Sequence, residues 1–337
     1  MGGCSSCCTT AEERQQGEIG DRKRSRRVLG NSEIAKVQTV LQGYLVRREV
    51  KELYRPTIRE EEKRLKELIE VPDFANPATE MTLKRLGEYQ YDLHPCPGEI
   101  PVLLKGPVQV EGGAVYIGEW SQAGQRHGKG VQLWADGSRF EGWWRLDKAN
   151  GKGRLIHADG DVYIGDWVDD KAQGYGTYIH TDGSKYEGQW MDDKQHGKGT
   201  EHWPDGGVYT GEYAWGKKEG KGRFQWKEGS VYEGEFKDNF LEGYGKYEWA
   251  DGRTYEGTWR RNKMDGKGVF SWQDGRRYEG EYVDDQKQGK GVFTWPDGRK
   301  YAGEWFHGKQ HGPGQLYTAA GELQQGVWSH GHRVRED

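Results

Sequence analysis

Aliphatic residues are scarce in this chain. Leu, Ile, Val and Phe number 54 of 337 residues, about 16%, below the roughly 20% that accompanies disorder when net charge is also large. The net charge is only −4, and the chain holds 15 Trp, 19 Tyr and 53 Gly. Disordered chains are poor in aromatics, so pervasive disorder is excluded, and so is an ordinary aliphatic core. Long apolar runs are missing too: none approaches the roughly 18 residues that span a bilayer, and no apolar stretch follows Met1 as a cleaved secretory signal would. Cysteine is rare. Cys4, Cys7 and Cys8 sit at the N-terminus and Cys96 stands alone, which is neither a disulfide framework nor a zinc pattern. We therefore expect a reduced, intracellular chain.

What is present divides the chain in two. All 15 Trp and 44 of the 53 Gly lie in residues 111–337, whereas residues 14–55 hold 11 basic and 5 acidic residues. The second part repeats. An aromatic followed by x-Gly starts units at Tyr116, Phe140, Tyr163, Tyr186, Tyr209, Tyr232, Tyr255, Tyr278 and Tyr301, with a degenerate start at Gln324; after one interval of 24 every interval is 23 residues. A fixed period of this size marks a repeat architecture.

In each unit two alternating segments of about five or six residues flank a turn, and Asp-Gly makes the turn into the next unit. Alternation puts Tyr278, Gly280 and Tyr282 on one face and Glu279 and Glu281 on the other, with Gly291, Phe293 and Trp295 sharing a face of the second strand. Rings beside glycines can cover a strand's bare backbone, which builds a sheet without aliphatic residues. Short turns make all neighbours antiparallel. The fold expected is an all-β repeat: an elongated, twisted, single-layer antiparallel meander of about nine 23-residue hairpin units, roughly 85 Å across if open, preceded by a short helical N-terminal region.

The pattern YxGxW…GxGxxxxxDGxx over residues 114–328 resembles the MORN (membrane occupation and recognition nexus) repeat family. The resemblance implies a trough-like sheet used for scaffolding and for protein or membrane contacts. Departures are local: one extra residue within Ser121–His127, His157 and His180 in place of the second-strand Trp, Glu228 for the turn Asp, and Ala320 in a decayed last unit. Such decay suits a cap.

Residues 1–31 read as an anchor. Met1-Gly2-Gly3-Cys4-Ser5-Ser6 fits the N-myristoylation pattern with Gly2 as acceptor. A myristoyl chain alone binds membranes marginally, and two further signals follow: Cys4, Cys7 and Cys8 as palmitoylation candidates, and the basic cluster Arg22, Lys23, Arg24, Arg26 and Arg27, each worth about 1 kcal/mol near an anionic leaflet. A solvated, disordered stretch and a nuclear-localisation signal are the other readings of that cluster. Covalent myristate and palmitate are the only attached groups expected, with no cofactor.

Residues 32–71 read as helical, with an apolar stripe at Ile34, Val37, Leu41, Tyr44 and Leu45. The stretch 37–50 resembles an IQ motif: Val37, Gln38, Gly43, Arg47 and Val50 match, while Gln42 stands where the family has a basic residue. The resemblance implies calmodulin or a related light chain; packing on another helix or on the sheet is the other reading of the same stripe. Thr57 to Glu60 resembles a capping box opening a second helix to about Ile69. Residues 72–113 read as a linker or a strip covering a sheet edge, and 114–337 as the repeat sheet.

No catalytic constellation emerges. Gly-Lys-Gly lacks the spacing of a phosphate-binding loop. The Asp pairs at 169–170, 192–193 and 284–285 read as turn acids, and His127, His196 and His311, placed in corresponding turns, are too far apart for one metal. We expect no enzyme, no metal, and no nucleic acid, since residues 111–337 carry 32 basic and 37 acidic groups. The candidate contact surface is the aromatic face at Trp120, Trp167, Trp190, Trp203, Trp226, Trp249, Trp259, Trp272, Trp295 and Trp305, open to a protein partner or a second copy. The function expected is a scaffold at the cytoplasmic face of a plasma, cortical or ciliary membrane, with calmodulin as candidate regulator. The alternatives are a soluble subunit of a ciliary or cytoskeletal assembly, or a regulatory subunit of a lipid kinase.

Overall fold

The computed structural model describes residues 74–92 and 102–334 of the chain, all within the compact unit Arg64–Asp337. They form one short helix, α1 (Pro77–Leu86), and a single 21-stranded antiparallel sheet. The sheet begins with β1 (Val102–Gln109), β2 (Val115–Ser121), β3 (Arg126–Leu133), β4 (Arg139–Arg145) and β5 (Lys148–Ile156), and each strand pairs with the next down to the three-residue His332–Val334. No pairing joins β1 to the last strand among the described residues, so the meander stays open.

Strands are longer than the alternation suggests: seven and nine residues in most units, as in Val208–Ala214 and Lys217–Gln225. The reason is the turn between them, which takes only two residues. Asp169 and Asp170 have φ of 49° and 70°, the type I′ geometry whose twist matches that of the flanking strands. Arg261-Asn262 and Asp284-Asp285 repeat it. The first unit differs as expected from its extra residue: Ser121 N–H and Gln125 O close a longer loop. The Asp-Gly turns between units behave as read, with Gly160 at φ 94° and the Asp159 carboxylate accepting from Asp161 N–H at 3.0 Å.

The two glycines of Gly-x-Gly have different duties. Gly211 faces Gly222 but Glu212 faces Glu219, so the ladder shifts register there. Gly220 makes the shift with φ of 64°, a region that side chains disfavour. Gly222 has no such φ; it pairs with Gly211 on one side and Gly234 on the other. Gly234 then faces Gly245, and Gly245 faces Gly257. A row of glycines thus crosses the sheet, and tyrosine rings fill the space above it.

The segment 72–113, which the sequence marks as a linker or edge strip, contains the helix α1. Its signals are local: the Asn76 side chain caps Ala78 N–H at 2.9 Å, Pro77 starts the helix and Gly87 ends it. Asn76 Nδ2 donates to the carbonyls of Asp136 (3.0 Å) and Ala158 (2.9 Å), and Thr82 Oγ1 donates to Gly160 O at 3.1 Å. These bonds seat α1 on the Asp-Gly turns of the first two units. β1 pairs along β2 and forms one edge of the sheet.

Candidate protein-interaction surface

The unit-starting tyrosines are buried, several of them completely. Each hydroxyl donates to the carbonyl three residues on, as Tyr209 does to Glu212 at 3.0 Å and Tyr232 to Glu235 at 2.9 Å. The aromatic four residues later meets the ring edge-on, and so does the matching residue of the next unit. Tyr163 contacts Trp167 and Trp190 this way, both with centroids 5.1 Å apart. The result is a continuous T-shaped row across the sheet, the arrangement that the ring quadrupole favours. Trp120, Trp167, Trp190, Trp259 and Trp305 belong to this row and are buried. Trp190, Trp259 and Trp305 also donate Nε1–H to glycine carbonyls at 3.1 Å.

The other expected face residues, Trp203, Trp226, Trp249, Trp272 and Trp295, form a second row on the same face, only partly buried. Ring contacts run without a break from Trp203 through Phe224, Trp226, Tyr247, Trp249, Phe270, Trp272 and Phe293 to Trp295, at 4.4–5.6 Å. Between the rows lies an open groove of about 470 Å³ whose walls include Phe224, Trp226, Tyr247 and Trp249. The ten expected tryptophans are therefore one face with two functions of packing: a closed row that makes the core and a half-exposed row above it.

Lys218 and Lys287 each reach over several of these rings. Lys218 lies over Trp203 (4.8 Å) and Tyr209 (5.0 Å) and pairs with Glu201 at 2.8 Å. Lys287 lies 4.9–5.1 Å from four ring centres, those of Trp272, Tyr278, Phe293 and Trp305. Burial, with some repulsion from Arg276, pulls its ammonium down to about 8. At the turn of the second matched pair of units, Asp161 accepts from Thr181 N–H (2.8 Å) and Tyr178 Oη (3.1 Å), with His180 Nδ1 at 2.8 Å. Burial alone would raise this carboxyl, but the three partners outweigh it and hold it below its usual range.

The turn acids are structural. Asp170 Oδ1 accepts from Ala149 N–H at 2.7 Å while Asp170 N–H donates to Ala149 O, and Asp193 and Asp285 repeat this with Ala172 and Met264. Each turn is thereby pinned to the preceding unit, 21 residues back. No cluster of three or more His, Cys, Asp or Glu among the described residues could hold a metal. His127, His196 and His311 lie within strands and not in the turns that their spacing suggests, because the connecting turn has already ended at Arg126, Lys194 and Lys309.

Trp143 and Trp144 were missed. Trp144 occupies the YxGxW position of the Phe140 unit and could have been found from phase. Trp143 faces outward yet is only 9% exposed, covered by residues 87–92. The lipidation candidates Gly2, Cys4, Cys7 and Cys8, the basic cluster 22–27 and the IQ-like residues lie outside the described residues.

The MORN-repeat family model matches nine times, at residues 116–139, 140–162, 163–185, 186–208, 209–231, 232–252, 255–276, 278–298 and 301–322. The matched residues make up more than half of the chain. It belongs to the MORN-repeat family. MORN arrays are protein-interaction scaffolds, and the nine matched units start at the same aromatics that set the phase of the sheet. No curated protein matches the chain. Among solved structures it is similar to the wild-type TCP10 domain of Danio rerio CPAP, at 13% identity and a TM-score of 0.34, over 66% of this chain and 99% of that one. It is also similar to the SAS-4 (dCPAP) TCP domain of Drosophila melanogaster in complex with a proline-rich motif of Ana2 (14%, TM-score 0.29, 56% and 96%). A virginiamycin B lyase from Staphylococcus aureus follows (15%, TM-score 0.14, 71% and 75%). Likeness at these levels carries no argument about function.

Proposed function

We propose that this MORN-repeat chain is a membrane-anchored scaffold whose sheet holds a protein partner on its aromatic face. The observation that carries the contact surface is the second aromatic row. From Trp203 to Trp295 its tryptophans and Tyr247 are only partly buried, while Phe270 and Phe293 beneath them are buried, and between Phe224 and Trp249 the row lines a groove. Contiguous apolar surface of this kind on a water-soluble sheet marks an interaction site, and Trp and Tyr are the residues that dominate interface energetics.

Anchoring rests on sequence. Gly2 with Cys4, Cys7 and Cys8 supplies two acyl signals, and Arg22 to Arg27 supplies an electrostatic one. The IQ-like stretch 37–50 adds a candidate site for calmodulin or a related light chain. Metabolic labelling with a myristate analogue, on wild type and Gly2→Ala, tests the anchor. Label and membrane sedimentation both disappear in Gly2→Ala if the reading holds; unchanged sedimentation of the variant defeats it.

A further inference from the structure

The face opposite the aromatic rows also has a groove, floored by the glycine row, and in the first two units the chain fills it with its own segment Gly87–Asp92. Tyr91 donates its hydroxyl to Gly130 O at 3.2 Å, with Lys129 Nζ 5.4 Å from its ring centre. The Arg154 guanidinium lies 5.6 Å from the Tyr89 ring and donates to Gly87 O at 3.0 Å. Trp143 Nε1 donates to Asp92 at 3.0 Å. Under this strap the outward pair Glu141 and Arg154 is buried and hydrogen-bonded, Arg154 Nε to Glu141 at 2.9 Å.

The same saddle recurs four units on, at an offset of four times 23, or 92 residues, and there it is open. Lys221 stands for Lys129, Gly222 for Gly130, Glu233 for Glu141 and Lys246 for Arg154. These lie on β11 (Lys217–Gln225), β12 (Val231–Lys237) and β13 (Phe240–Glu248), with Glu233 in register with both Arg223 and Lys246. The open saddle has a volume of about 650 Å³. Lys221, Glu233, Glu235, Tyr244 and Lys246 around it are all exposed. On the aromatic side the two saddles differ: Trp144 donates its indole N–H to Gly130 O at 3.2 Å, whereas Phe236 stands in its place beside Gly222. Gly130 O accepts the Tyr91 hydroxyl as well, so the indole does not close this carbonyl to a hydroxyl from the outward face.

We propose that the saddle at residues 221–246 binds an extended segment of a partner protein with the pattern Tyr-x-Tyr followed by Lys or Arg. The first ring packs on Lys246 as Tyr89 does on Arg154, and the second donates to Gly222 O beneath Lys221 as Tyr91 does to Gly130. The residue after it decides the source. In the covered saddle that residue is Asp92, facing the Trp143 N–H; in the open one Glu235 stands at the position of Trp143. A second copy's strap would bring Asp92 against Glu235, like charge on like charge, whereas a basic residue meets its complement. This surface lies on the opposite face from the aromatic groove and does not depend on the anchor.

The test is fluorescence anisotropy of labelled peptides on the full chain. The probes are Gly-Glu-Tyr-Gln-Tyr-Lys, the strap sequence Gly-Glu-Tyr-Gln-Tyr-Asp, and the Lys peptide with both Tyr replaced by Ala. The Lys peptide is expected to bind saturably, at least threefold tighter than the Asp peptide, and the Ala peptide to lose binding. Lys246→Glu and Lys221→Glu, both at exposed positions, should each weaken the Lys peptide about tenfold, while Trp226→Ala on the aromatic face should leave it unchanged. Tryptophan fluorescence reports that each variant is folded. Absence of saturable binding, equal binding by folded Lys246→Glu, or tighter binding of the Asp peptide with concentration-dependent dimerisation would each overturn the proposal. None of these results touches membrane recruitment through Gly2.

Discussion

The Tyr209 ring occupies the space where a side chain on Gly222 would stand: a Cβ built there falls 2.5 Å from the Tyr209 hydroxyl oxygen. Backbone lies close on the neighbouring strand as well, since a Cβ on Gly211 would approach Gly222 Cα at 2.6 Å. One glycine row and one tyrosine row are thus a single packing unit, repeated along the sheet.

Gly222→Ala should cost about 1–3 kcal/mol through overpacking, although Ala is otherwise the better residue for an ordinary backbone. Tyr209→Phe removes only the 3.0 Å bond to Glu212 O and should cost about 1 kcal/mol. Phe140 already occupies that position in the second unit. Chemical denaturation followed by tryptophan fluorescence checks both; a Gly222→Ala protein as stable as wild type would contradict the packing account.

Asp285→Ala should lose about 1–2 kcal/mol, because it removes the acceptor for Met264 N–H and leaves a residue with little tolerance for φ of 68°. Asp285→Asn should be nearly neutral, as Asn239 and Asn262 serve in the same place. Amide exchange at Met264 gives a direct local readout, faster in Asp285→Ala and little changed in Asp285→Asn.

Lys287→Met should stabilise the sheet by about 1 kcal/mol at neutral pH, a figure discounted for the solvent that still reaches the ammonium. Leu241 and Met264 hold the equivalent place in earlier units. The sign follows from protons. Lys287 sits near 8 in the fold and near 10.4 unfolded, so between these values the unfolded chain binds more protons and wild-type stability rises with pH. The gain from Lys287→Met should accordingly shrink from pH 8 to pH 10, measured as the difference in melting temperature between the two proteins.

Alkaline pH should act in the opposite direction through the tyrosine row. Burial pushes Tyr301 up to about 12 and holds Tyr163, Tyr186, Tyr209, Tyr232, Tyr255 and Tyr278 higher still. Unfolded tyrosines ionise near 10, so the fold retains protons that the unfolded chain releases. The contribution is complete below pH 10 and is lost as pH rises through the folded values. The share of tyrosinate absorbance that these seven buried rings supply should therefore appear together with unfolding; their ionisation in an intact sheet would contradict it.

Local chemistry was largely legible in the residues. The unit starts, the Asp-Gly turns and the assignment of Tyr, Gly and Trp to one face all follow from the 23-residue period and the two-residue alternation. The helix α1 was also readable from Asn76, Pro77 and Gly87, but a proline-rich composition hid it. Alternation alone did not separate the tryptophans, because it puts Trp190 and Trp203 on the same face; Trp190 stands within a strand and is buried, whereas Trp203 follows the last strand residue and is only partly buried.

The sequence by itself determined a period, a strand polarity and the residues that can accept positive φ, because these depend on neighbours within one turn or one hairpin. Tertiary structure alone decided which surfaces are covered. Glu141, Trp143 and Arg154 are buried, and Glu233, Glu235 and Lys246 are open, although both sets occupy equivalent places in the repeat. The difference lies in contacts from Gly87, Tyr89, Tyr91 and Asp92, which approach from 39 to 67 residues away. A periodic pattern fixes where a side chain points, but only the path of a distant segment fixes what lies over it.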